Sequence, residues 1–257
     1  MTFPVVFRVS VSACWALALC AALPACTMPS KDSPVWIAYD NAAARNALPT
    51  IRERMIYLAR QEWTLFGRPV ADYAAAEPVL IFPDGQLPTH ESQPPFLARV
   101  LTYWQAATPA PLLDRAGDIR PWSGAFIVWL ARSAGVSEPA LPSTALHWDY
   151  IEQALLKGRN ARFDAHDARY YPPKPGDLLC APRSENFTAQ VRRFEQLRRG
   201  PYHCDLVVAR ARDRLEVIGG NVLDAVSLTR VELNSDGTVR PFAERPWLIV
   251  IEQRDVD

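Results

Sequence analysis

Hydrophobic residues recur at helical spacing four times along this chain before they begin to alternate. Ile51, Met55, Leu58, Ala59 and Trp63 share one helical face behind Thr50, a residue suited to a cap, and Gly67 ends the run. Leu97, Val100, Leu101 and Trp104 mark a second helix over 96–107. A third, from Trp122 to Ala134, is apolar nearly all round through Ala125, Phe126, Ile127, Val128, Trp129 and Leu130, so it belongs in the middle of a domain. Ser143 is placed to cap a fourth, which runs to Leu156 before Gly158 and sets His147, Tyr150 and Ile151 on one face.

The period then changes. Pro175-Gly176-Asp177 reads as a turn that launches Leu178-Leu179-Cys180, and a polar, partly helical insertion follows from Ser184 to Arg199. Strand-like runs come next at Cys204–Ala209, Leu215–Ile218, Ala225–Val231 and Trp247–Glu252, with a short earlier one at Val79–Ile81 in a Pro-rich stretch. Helices first and antiparallel strands afterwards predict an α+β fold, as one domain over 47–257.

The first 46 residues read differently. Arg8 is the only charge before Lys31, and an apolar core from Val9 to Leu23 has signal-peptide length, which predicts an export signal over residues 1–25. Leu23-Pro24-Ala25-Cys26 resembles a bacterial lipobox. That resemblance implies lipidation of Cys26, a tether over 26–46, and a lipoprotein on the periplasmic face of a membrane. Thr27, in place of Asp, implies outer-membrane sorting. A plain signal peptide and an uncleaved anchor are the other readings. Lys+Arg and Asp+Glu balance at 28 each, which argues against a nucleic-acid partner.

Cys180 and Cys204 are the two cysteines in the folded part. In an oxidising compartment they are candidates for a disulfide between neighbouring strands. Two buried thiols, or a metal site with His203, are the rival readings; the spacing of Cys180, His203 and Cys204 is not that of a zinc motif. No metal and no cofactor is expected.

Candidate chemistry lies in three segments, in chain order: Pro121-Trp122-Ser123-Gly124-Ala125-Phe126, then Tyr202-His203-Cys204-Asp205, then Gly219-Gly220-Asn221. The free N–H groups and positive dipole end of a helix start favour developing negative charge, a fitting place for a nucleophile. The order resembles the papain-like NlpC-type and CHAP-type peptidoglycan amidases, with Ser123 where those have cysteine. The same residues, with His147 and Tyr150, Gly176 to Cys180, and Val222, are similar to a bacterial family of unknown function, numbered 2272.

The amidase resemblance implies a central buried helix packed on a C-terminal antiparallel sheet. It also implies a triad in which His203 takes the proton of Ser123 and Asn221 orients His203. Trp122, Gly124, His147, Asp177, Tyr202 and Asp205 are the supporting candidates. His147 is a second candidate base, and Asp205 or Asp177 a candidate carboxylate for the imidazolium. Each has a plainer role available: Ser123 as a first-turn residue, His203 at a strand end, Asn221 in a turn needing positive φ, Trp122 and Tyr202 in the core. The expected function is a cell-envelope hydrolase cutting amide or peptide bonds of peptidoglycan. A pseudoenzyme that binds wall peptides or an envelope partner is the alternative. An acyl transferase on the same scaffold is a third reading.

Overall fold

The structure, a computed structural model, describes residues 47–75, 77–157 and 161–254. The expected export signal, Cys26 and the tether lie outside the described residues. Among the described residues no helix is long and apolar enough to cross a membrane.

Helix α1 spans Ile51–Leu65. Thr50 and Glu53 close a capping box at its start, satisfying two N–H groups that would otherwise lack partners. Helix α2 spans Phe96–Ala107 and α3 spans Ser123–Ala134, where Gly135 adopts the left-handed conformation that ends it. Helix α4 spans His147–Lys157. It starts three residues later than a cap at Ser143 implies, because residues 143–146 run across the start of α3 instead. Thr144, not Ser143, turns this segment: its hydroxyl accepts from Leu146 N and donates to Asp149. The polar insertion forms a short helix α5 (Glu185–Gln190) and one 3-10 turn.

The strands are β1 (Val70–Asp72), β2 (Val79–Ile81), β3 (Phe163–Asp167), β4 (Leu178–Pro182), β5 (Tyr202–Arg210), β6 (Arg214–Val222), β7 (Ala225–Glu232) and β8 (Ile249–Gln253). They form one sheet in the order β2-β1-β7-β6-β5-β4-β8-β3. It is mixed, since β1 runs parallel to β7; the expectation of a purely antiparallel sheet is corrected there. β1 and β3 escaped the sequence pattern. β1 has three residues, and β3 reads Phe-Asp-Ala-His-Asp, a polar edge strand with its last three residues half-buried.

Helix α3 packs against α1, α2, β5 and β6, which makes it the centre of the helical layer. Its Phe126, Ile127, Val128 and Leu130 are fully buried, as the all-round apolar pattern requires. A buried polar clamp joins α1 to α2. Arg99 Nε donates to Glu62 at 3.1 Å, and Tyr103 also hydrogen-bonds that carboxylate. On β5, Cys204, Leu206 and Val208 face the helices, while Val207 faces a second cluster with Val217, Val231 and Trp247 on the other side.

Cys180 and Cys204 sit directly opposite each other on β4 and β5, with an S–S bond of 2.07 Å and Cα atoms 4.1 Å apart. The bridge is fully buried. Replacing both cysteines by alanine is expected to lower stability by roughly 3 kcal/mol in the chain-entropy account of a loop this size. Urea unfolding of the oxidised protein and the double variant measures it; equal midpoints would refute it.

Candidate active site at the start of a buried helix

The site is assembled by two close approaches that only glycine permits. A Cβ at Gly124 would lie 2.4 Å from the Ala145 carbonyl oxygen and 2.8 Å from its carbon. The missing side chain therefore lets the 143–146 segment cross the first turn of α3, and that crossing delivers His147. Ser123 Oγ stands 2.7 Å from His147 Nε2, within hydrogen-bond reach. The other ring nitrogen, Nδ1, hydrogen-bonds the Tyr150 hydroxyl one turn along α4. Ser123 and His147 are both buried, 2% and 4% exposed, with one edge on a cleft of about 550 Å³.

The second approach is at Gly219. A Cβ there would sit 1.8 Å from Asp205 Oδ1 and 3.0 Å from His203 Nε2. The space it leaves holds an imidazole–carboxylate pair, with His203 Nε2 donating to Asp205 Oδ1 at 2.6 Å. Arg245 stands 3.1 Å from Asp205 Oδ2, off the hydrogen-bonding line, so that contact is ionic. Arg245 is itself held by the Tyr73 hydroxyl at 2.5 Å and lies over the Trp247 ring. The His203 ring centre is 5.4 Å from that of His147. His203 lines a larger cleft of about 840 Å³, and Arg183 and Ser184 line both clefts.

The arrangement differs from the triad expected from sequence. The hydroxyl of Ser123 meets His147, not His203. The reason is strand alternation: Cys204 turns inward to its disulfide, so His203 and Asp205 leave β5 on the face away from α3. Asn221 does not hold His203 either. With its amide oxygen turned inward it accepts from Trp122 Nε1 at 2.9 Å and Trp122 N at 3.2 Å. Its φ of +54° falls inside β6, where the pairing with β7 shifts register just before the turn at Leu223-Asp224.

Asp177 lies at the opposite end of β4. There it accepts from Lys174 N and Gln253 N and pairs with Arg52 at 3.6 Å, a structural task. Trp122 is fully buried among Tyr103, Phe66 and Phe126 and lines neither cleft; its Nε1 also donates to the buried Glu91 at 2.5 Å. Tyr202 is a wall of the smaller cleft, stacked on Trp148. Arg183 and Arg245 carried no sequence signal, being single arginines in irregular segments.

Electrostatics keep both imidazoles neutral at pH 7. Burial, then the neighbouring His203, Arg183 and Arg245, pushes His147 well below the usual histidine value of 6.5. Burial also lowers His203, against the pull of Asp205. Burial pushes Asp205 up, but Arg245 and His203 outweigh it and hold the carboxyl below its ordinary value. An ionised Asp205 accepts only, which puts the His203 proton on Nε2. Unfolded histidines take up protons near pH 6.5, while these two resist until lower pH, so the unfolded state binds more protons in that window. Stability is therefore expected to hold above about pH 6.5 and to fall as pH drops below it. Urea midpoints at pH 7.5 and 5 test this, with His147→Gln and His203→Gln flattening the slope.

Asp164, His166 and Glu252 bring three ligand atoms within 4.8 Å of one another at the β3–β8 edge. Arg254 pairs with both of their carboxylates, so their charge is already balanced.

No curated protein and no solved structure matches the chain. Residues 97–252 match the family described as "uncharacterized protein conserved in bacteria" (DUF2272). That stretch starts within α2, ends in β8, and takes in Ser123, His147, Tyr150, His203, Asp205 and Arg245, so the chain belongs to that bacterial family and carries its candidate site inside the shared region.

Proposed function

We propose that the protein is a serine-dependent acyl hydrolase of the cell envelope, of the papain-like amidase type, acting on amide or ester bonds of wall peptides. The observation that supports this best is the 2.7 Å contact between Ser123 Oγ and His147 Nε2 at an uncapped helix start. Ser123 Oγ–H donates to a neutral Nε2, while Nδ1–H donates to Tyr150. Attack of Oγ on the acyl carbon passes the proton to Nε2, and the same imidazole returns it to the leaving nitrogen or oxygen. Water then attacks the acyl-serine, again giving its proton to His147. Trp122, the residue before α3, makes no side-chain cap bond, so the first N–H groups of the helix are available to the oxyanion. His203, fixed by Asp205 and Arg245, stands beside His147 with ring centres 5.4 Å apart and acts through it rather than touching the nucleophile.

One observation favours a binding protein without turnover. The partner of His147 Nδ1 is a phenol, not a carboxylate, and the charges that act on His147 are cationic. A cation formed there gains no direct counter-charge. A fluorophosphonate probe separates the two readings. Stoichiometric labelling, mapped to Ser123 by peptide mass and lost in His147→Gln, supports the hydrolase. An unlabelled native protein that still binds wall fragments supports the pseudoenzyme. Lipidation of Cys26 and display on the outer membrane complete the proposal, and the mass of the mature N-terminal peptide tests them.

A further inference from the structure

The cleft over Ser123 has a charge pattern that a nucleophile does not require. Three arginines, Arg120, Arg183 and Arg199, line it, and among the described residues no carboxylate does. The chain as a whole balances its charges, so the excess is local. Arg120 Nε is buried and has no hydrogen-bond partner among the described residues, so its guanidinium is not committed to a protein acceptor through that atom. Arg183 is exposed and its guanidinium makes no ion pair among the described residues, yet its charge reaches both His147 and His203. Arg199 is more loosely committed, 3.6 Å from Asp149 with most of its side chain in solvent. Trp104 and Trp148 give the same cleft apolar walls. Guanidinium forks over an apolar wall suit a planar anion, and a carboxylate can be gripped by two parallel N–H bonds.

We propose that this cleft is a carboxylate subsite, that the ligand is an acyl compound carrying a free carboxylate near the bond presented to Ser123, and that Arg183 sets the preference. That this ligand is also a substrate rests on the hydrolase reading; the subsite itself needs only binding.

The test uses N-acetyl-D-alanyl-D-alanine as free acid and as C-terminal amide, titrated calorimetrically into the full mature chain carrying Ser123→Ala at 0.15 M salt. The acid is expected to bind about tenfold tighter than the amide, the worth of one charge-assisted hydrogen bond. In Arg183→Gln that ratio should fall to about two or less, and Arg183→Lys should keep part of it, since a point charge survives without the fork. Inorganic phosphate should compete at least about tenfold more weakly than the acid. Equal affinity for acid and amide, binding of neither, an unchanged ratio in Arg183→Gln, or phosphate binding as tightly as the acid would each overturn the proposal. Because the titration uses a chain without the nucleophile, an inert wild type would sink the hydrolase reading and leave this result standing. Turnover with no preference for the acid would sink the subsite alone.

Discussion

Ser123→Ala is expected to lower kcat/KM on an activated ester or wall-peptide amide by about ten-thousandfold, with little change in urea midpoint. The two histidines should then separate sharply. His147→Gln should match the serine variant, because Nε2 of His147 is the group at 2.7 Å from Oγ. His203→Gln should cost only about ten- to a hundredfold, the scale of a group that acts through a neighbour. The reverse ranking would restore the strand histidine as the base, and the 2.7 Å contact would then be a resting arrangement. The pH profile gives a second reading of the same assignment. With His147 neutral until well below 6.5, the acid limb of kcat/KM should lie below the usual histidine value. Arg183→Gln should move that limb upward, since one of the charges opposing protonation is gone.

Gly124→Ala is expected to cost about a hundredfold in kcat, and more in kcat than in KM, while leaving the fold in place. The added methyl would meet the Ala145 carbonyl at 2.4 Å, a backbone atom that cannot swing aside. The 143–146 crossing must lift, and His147 lifts with it. Loss of alignment at that scale is enough for the loss of rate. Circular dichroism and the urea midpoint of the variant check that the helical layer survives. A variant as active as wild type would show that the crossing has slack and that His147 is not held by it.

The helices were legible because their signals are local. Thr50 and Glu53 cap α1, Gly135 ends α3, and an all-apolar run fixes α3 at the centre. The place of Ser123 at the start of α3 followed from the same signals. Its imidazole neighbour did not, because two histidines fit the chain order and only tertiary packing brings His147 to it. The alternation rule held the answer in part: if Cys204 turns inward to Cys180, its neighbour His203 cannot share the face of α3. Gly219-Gly220 illustrates the remaining gap. The pair suggests a turn, yet both residues lie inside β6, where Gly219 makes room for Asp205 and Gly220 for Trp122 and Phe126. The turn itself is Leu223-Asp224, both at positive φ, while Asn221, also at positive φ, still lies in β6 where the pairing with β7 shifts register. Glycine chosen for a close approach and glycine chosen for a turn leave the same mark in a sequence. Arg245 reaches Asp205 from a Pro-rich connection, and nothing periodic announces such a contact.

Strand β8 is last in chain order but stands inside the sheet, between β4 and β3. Synthesis from the N-terminus delivers β3 and β4 first, with a slot between them that residues 249–253 must later fill. Until then β3 has no partner, since β8 is the strand it pairs with. Closure of the sheet is therefore a late event in synthesis, and Arg245, four residues ahead of β8, reaches Asp205 only in that same final stretch. A tag or fusion placed after residue 254 would have to leave this closing strand long enough to slide home.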